Sequence, residues 1–312
     1  MSKTRIFVAG ASGFIGRSAV EYFSAAPEKY EVFACTDPVA DLRDPEAVKR
    51  VVGDFGPDCV INSAAVVSTR KTAYAHGDTD VTAANLAMFF NLYRAKSPGA
   101  RLMQLGSGAE YDIRAYRPKM SEDYFDTSVP ADPYGFSKYV VSKLAEGRGD
   151  ITVLRVFGLF GRYEDYTFKF ISNAIVKSLL GMPITVNQNT VQDFLWMGDF
   201  LRVLERFAAG PNPAHAHYNV TPSESPDLVA LAGLVNAAAE KPVEVRVLNP
   251  GMNREYTGSN ARLLSEFPDL KFTPHAEAIK ELYAYYRANL DGLDTAAVRA
   301  DEYIKNCRTV KK

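Results

Sequence analysis

The chain is 312 residues long, 47% hydrophobic and 23% charged, with 36 Lys and Arg against 37 Asp and Glu. That length allows one large domain or two unequal ones that share a core. A formal net charge of −1 leaves no electrostatic footprint for nucleic acid or anionic lipid.

The first residues, Met-Ser-Lys-Thr-Arg, run straight into an apolar strand, and no stretch reaches membrane-spanning length, so the cytoplasm is the expected compartment. The strand Arg5–Ala9 ends in glycine and a helix is predicted from Gly13 to about Ala25. Strand Val32–Cys35, helix Pro45 to about Asp54, strand Cys59–Ile61 and a helix over roughly Thr79–Ala95 follow. Then come strand Leu102–Leu105, helix Asp132–Glu146 and strand Ile151–Val156. Apolar strands alternating with helices predict an α/β fold with a doubly wound parallel sheet. After Phe157 the pattern loosens. Helices are predicted at Phe168–Leu180, Asp227–Glu240 and Ala276–Leu290, with strands at Ile184–Val186 and Val243–Val247. Residues 1–160 read as a dinucleotide-binding domain joined by a returning segment near 190–220. Residues 161–189 and 221–312 read as a smaller mixed α/β substrate lobe. Cys35, Cys59 and Cys307 are far apart and read as free thiols. His215 and His217 have no Cys, Asp or Glu nearby to complete a metal site, so no metal is expected.

The first strand enters Gly10-Ala-Ser-Gly13-Phe-Ile-Gly16, which opens a helix. Gly10 permits a tight turn, Gly13 a close backbone approach to a pyrophosphate, and Gly16 close helix–strand packing. Free N–H groups and the helix dipole favour a phosphate there. Farther on, Tyr134-Gly-Phe-Ser-Lys138 puts a phenol and an ammonium four residues apart, on one face of a helix. An ammonium nearby is expected to pull the phenol's pKa toward the working range. Ser107 ends the fourth strand, at the sheet edge where such folds bind ligands.

The Gly-x-x-Gly-x-x-Gly spacing with Tyr-x-x-x-Lys resembles the extended short-chain dehydrogenase/reductases, the NAD-dependent epimerase/dehydratase family. The similarity includes Asp41-Leu-Arg-Asp44, Asn62-Ser-Ala-Ala65, Asn85, Asn91, Thr190–Asp199 and Tyr218-Asn-Val220, and so runs through nearly the whole chain. It implies a catalytic trio of Ser107, Tyr134 and Lys138. It implies NAD(P)(H) held by Gly10, Ser12, Gly13, Phe14, Ile15, Gly16, Asp41, Leu42, Ala64, Ala65, Asn85 and Phe157, with Tyr134 and Lys138. It further implies a nucleotide-diphosphate sugar as substrate, contacted by Ser107, Gly108, Lys169, Asn187 and Arg254, and a homodimer.

Departures from family patterns narrow the reaction. The related 4,6-dehydratases carry Asp-Glu where this chain has Gly108 and Ala109, and Glu110 stands one position late, facing the other way in a strand-like segment. The GDP-fucose synthases carry a Cys where Ala109 stands and a His after the fifth strand, and residues 158–172 contain no His. The pattern is most similar to nucleotide-sugar 4-ketoreductases, dTDP-4-dehydrorhamnose reductase among them. The expected reaction is reduction of the C4 keto group of a 4-keto-6-deoxyhexose nucleotide. A 4-epimerase that keeps NAD bound, and a dinucleotide sensor without catalysis, are the alternatives. Thr36, rather than an acid, ends the second strand, with Asp37 one residue later, and Arg17 and Arg43 are close enough in sequence to meet a 2′-phosphate, so NADPH is the expected cofactor.

Overall fold

The computed structural model describes residues 2–67, 80–307 and 309. The first half holds β1 (Thr4–Ala9), α1 (Phe14–Ser24), β2 (Tyr30–Cys35), α2 (Pro45–Phe55), β3 (Cys59–Asn62), α3 (Val81–Ala95), β4 (Arg101–Ser107), α4 (Pro133–Ala145) and β5 (Ile151–Val156). The second half adds β6 (Leu159–Phe160), α5 (Phe170–Leu179), β7 (Ile184–Asn189), β8 (Leu195–Trp196), α6 (Met197–Ala209), β9 (His217–Val220), α7 (Leu228–Ala238), β10 (Val245–Met252), α8 (Ala261–Glu266), α9 (His275–Ala288), α10 (Ala296–Arg299) and α11 (Glu302–Asn306).

Six parallel strands form the main sheet in the order β2-β1-β3-β4-β5-β9. Alternate residues of each strand feed the two faces. Ile6, Val8, Cys59, Ile61, Met103 and Leu105 pack with Ala19 and Phe23 of α1 and with Phe200 and Leu204 of α6. Phe7, Ala9, Val60 and Leu102 pack on the opposite face with Val48 and Val52 of α2, Phe89 of α3 and Val141 of α4. The sheet is therefore doubly wound, as the alternating pattern predicts. Its strand order reverses between β1 and β3, and a crevice opens there beyond their carboxyl ends.

A separate core joins α5, β7, α7 and α9 through Ile171, Ile175, Val186, Leu231, Ile279 and Leu282. β7 pairs with β10 in parallel. The chain before β9 returns to the main sheet. Leu263 of α8, with Phe267 and Phe272, packs on the main sheet's core, so this part of residues 221–312 does not belong to the lobe as expected. Phe267 packs edge-on against Phe207, which in turn packs against Tyr218. β10 begins later than the predicted Val243, because the backbone N–H and C=O of Val243 are both bonded to the side chain of Asn236 at the end of α7. Thr79, the expected start of the third helix, lies outside the described residues; Asp80 caps that helix by accepting from Ala83 N. The three cysteines are free thiols, with Cys35 and Cys59 buried. Among the described residues no helix is long and apolar enough to cross a membrane.

Candidate active site

The glycine loop sits at the crevice. Gly10 has φ +75°, and a Cβ there would stand 2.8 Å from the backbone of Ala64, so both conformation and space demand glycine. A Cβ on Gly16 would overlap the carbonyl of Gly10, which is how α1 lies against the strand. Gly13 differs. Among the described residues its Cβ would meet only Gly10 O at 3.4 Å, an ordinary contact, so none of them requires glycine there. Gly13 is the N-cap of α1 and supplies no side-chain acceptor. The N–H groups of the first turn are therefore offered to whatever anion lies in front of them.

A cleft of about 430 Å³ opens at this point, lined by Gly10, Ser12, Gly13, Asp41, Leu42, Ala64 and Ala65, with Asp37, Arg43, Ser63, Val66 and Met88. Phe14 and Ile15 pack instead against the sheet's core. Asn85 does not line the cleft. Its amide clamps the backbone of Val66, accepting at 2.8 Å and donating at 3.0 Å, and reaches Ser137 on α4. Asn91 likewise donates to Leu42 O at 3.0 Å. Both asparagines of α3 thus shape loops that form the cleft wall. Arg43 lines the cleft in a pair with Asp41 at 2.8 Å, which holds the carboxyl below its ordinary range. Arg17 does not join it: its guanidinium lies 3.7 Å from the Tyr163 ring centroid and pairs with Glu21.

Ser107, Tyr134 and Lys138 meet at the carboxyl edge of β4. Asp132 accepts from Gly135 N at 2.7 Å and starts α4, which carries Tyr134 and Lys138 on one face. The buried Lys138 ammonium donates to Leu105 O at 2.8 Å and lies 5.8 Å from the centre of the Tyr134 ring. Ser107 Oγ accepts from Ala109 N at 3.1 Å and interacts with the Tyr134 phenol. The expected pull of Lys138 on Tyr134 is not seen. Burial pushes the phenol up to about 12, against the opposing contact from Ser107 and with help from the Glu110 and Asp132 carboxylates. Burial also brings the Lys138 ammonium down to about 8, with Glu110 opposing. At neutral pH this environment keeps the phenolic proton on Tyr134.

Glu110 turns away from that edge. It accepts from Ser107 N at 2.9 Å, from Ser142 Oγ, and from Arg155 Nε in a fully buried ion pair. Gly108 is closed over: a Cβ there would stand 2.5 Å from the Tyr256 hydroxyl and 2.7 Å from the Phe157 ring. His217 is packed behind, 3.2 Å from Arg155, and burial with the two nearby arginines drives its imidazole down to about 3.

A second cavity of about 410 Å³ lies between sheet and lobe, lined by Phe157, Glu164, Lys169, Asn187, Gln192, Asp193 and Tyr256 among others. Phe157 lines this cavity. Burial pushes the Glu164 carboxyl up to about 8 and that of Asp193 to about 6. Arg254 is not in this lining; its guanidinium donates to Ile113 O at 3.0 Å on the exterior. Tyr256 went unnoticed in the sequence because it stands in an irregular stretch with no periodicity. Arg155, an arginine inside the apolar strand Ile-Thr-Val-Leu-Arg-Val, was a readable signal of a buried partner.

The model of the family described as NAD dependent epimerase/dehydratase family matches residues 6–221. The spore coat polysaccharide biosynthesis protein SpsK of Bacillus subtilis is 24% identical over 159 residues, 51% of this chain and 54% of that protein, so the match spans about half of that relative's length. The GDP-6-deoxy-D-talose 4-dehydrogenase of Aggregatibacter actinomycetemcomitans is 28% identical over 213 residues, 65% of this chain and 69% of that one. The crystal structure of a GDP-L-fucose synthetase from Naegleria fowleri bound to NADP superimposes with a TM-score of 0.79 at 18% identity, covering 93% of this chain and 95% of that one. At that identity the last likeness speaks for the fold alone.

Proposed function

The chain belongs to the NAD dependent epimerase/dehydratase family, and from that premise we propose that it reduces the C4 keto group of a 4-keto-6-deoxyhexose nucleotide with NADPH. One observation carries the reading. Ser107, Tyr134 and Lys138 converge at the edge of β4, while the positions that hold the acid pair in dehydratases are Gly108 and Ala109, and Glu110 is committed to Arg155. The relative that is named as a 4-dehydrogenase of a GDP-6-deoxy sugar supports the position of the chemistry.

The cleft suits a dinucleotide: an uncapped helix N-terminus faces it, and none of the described residues would crowd a side chain at Gly13. Bound there, the reduced nicotinamide supplies a hydride. Tyr134, held protonated by burial, gives its proton to the oxygen that gains charge at C4. Ser107 donates a hydrogen bond to the same oxygen. The Lys138 ammonium, anchored on Leu105 O, stabilises the phenolate that Tyr134 becomes. Asp41 and Leu42 would hold the adenine side. Arg43, which lines the cleft in its pair with Asp41, supports NADPH, while Asp37 in the same lining is the acid that would favour NADH. Lys169 and Asn187, which line the lobe cavity, are the proposed diphosphate contacts; the outward position of Arg254 gives it weaker support. We infer a homodimer working in the cytoplasm, which light scattering and fractionation would check.

The same trio serves a 4-epimerase that oxidises C4 and reduces it again, an activity within the family's description. Incubation of the enzyme with NADPH and a panel of 4-keto-6-deoxyhexose nucleotides separates the two. A reductase consumes one NADPH for each 4-hydroxy product, read by absorbance and NMR. An epimerase interconverts 4-hydroxy sugars with no net consumption.

A further inference from the structure

Ser107 is flanked by two phenols, and the reaction described above uses one. Tyr134 reaches it from α4. Tyr256, on the stretch that follows β10, is the other, with its hydroxyl beside the neighbouring Gly108. That stretch is tied to the lobe cavity by backbone bonds, Tyr256 N to Val191 O at 3.0 Å and Asp193 N to Tyr256 O at 3.1 Å. The Tyr256 ring is wedged between Phe157 and Tyr116, with centroids 5.0 Å and 5.2 Å away. Its hydroxyl lies over the Cα of Gly108, where any Cβ would stand 2.5 Å from it. Tyr116 is held alongside by donating to Gly108 O at 3.0 Å. The glycine next to Ser107 is therefore what lets a lobe tyrosine approach the serine.

A hydroxyl oxygen accepts twice and donates once. Ser107 Oγ already accepts from Ala109 N at 3.1 Å. We propose that Tyr256 is a positioning residue for Ser107: its hydroxyl donates to the remaining lone pair of Ser107 Oγ, which leaves the serine proton for the reacting oxygen. Burial raises the Tyr256 pKa well above the ordinary value, against the opposing contact with Ser107, so the phenol keeps its proton. Because Tyr256 also lines the lobe cavity beside Asp193 and Gln192, the lobe and the β4 edge share one side chain.

This inference rests on C4 redox chemistry through Ser107, in either direction. The test is a double-mutant cycle on whichever C4 reaction the enzyme shows, reduction or epimerisation. Tyr256→Phe keeps the ring and its packing. It should lower kcat about tenfold, as expected for one lost preorganised donor, with KM and NADPH affinity little changed. In a Ser107→Ala background the same change should cost less than about twofold, since groups acting as a unit are not additive. Gly108→Ala, whose methyl group would displace the phenol, gives an independent route and should be non-additive with Tyr256→Phe. A silent Tyr256→Phe, or losses that add in the cycle, overturn the inference alone. A wild-type enzyme that performs neither C4 reaction overturns the reading beneath it, and this inference with it.

Discussion

Tyr134 and Lys138 illustrate how burial changes what a motif means. Four-residue spacing on a helix was legible, and so was the meeting with Ser107, since the ends of parallel strands share one sheet edge. The protonation states were not legible, because they depend on desolvation by residues distant in sequence. With Lys138 near 8 and Tyr134 near 12, the lysine is the first of the two to lose its proton as pH rises. The ammonium is present below that value and absent above it, so kcat/KM for reduction should fall as pH passes about 8 and the limb should report one proton. A pH–rate profile flat from 7 to about 10 would count against a role for that charge. Gly13 gives a second residue-scale expectation. Gly13→Val should unfold at nearly the wild-type temperature, because a Cβ there meets only an ordinary contact, yet fluorescence titration should show NADPH binding lost. Unchanged affinity would mean the dinucleotide is held elsewhere.

The alternation of strands and helices was readable from apolar runs and caps such as Asp44 before Pro45 and Asp132 before Pro133. Short pieces escaped notice: β6 and β8 have two residues each, too few to show a period. The joint between β4, α4 and β5 also depends on an interaction that spacing does not reveal. Glu110 ties Ser107 N, Ser142 of α4 and Arg155 of β5 together in the interior. Removing one partner of a buried pair leaves the other uncompensated. Arg155→Leu should cost about 3–5 kcal/mol in denaturant unfolding. The double change Glu110→Met with Arg155→Leu should cost less than that single change. A single variant as stable as wild type would show that the pair does not hold this joint.

Across the whole molecule, one cleft opens at the glycine loop near the β1/β3 reversal and another at the seam between sheet and lobe. The glycine-loop side was the more legible of the two, since its glycines and loops follow one another in sequence. The lobe side was less so: Phe157, Asp193 and Tyr256 come from three distant segments, and Arg254, two residues from Tyr256, faces outward. The arrangement also bears on reaction class. With Glu110 committed to Arg155 and no acid at 108 or 109, GDP-mannose, dTDP-glucose and CDP-glucose should give no 4-keto-6-deoxy product by NMR. Appearance of that product would replace the reductase reading with dehydration. The central claim, that Tyr134 delivers the proton at C4, is tested most directly by steady-state kinetics of Tyr134→Phe on a 4-keto-6-deoxyhexose nucleotide, with NADPH titrated in parallel. Only a hydroxyl is removed, so the fold and NADPH affinity should persist while kcat falls by roughly two to four orders of magnitude. Near-normal turnover by this variant would contradict the account.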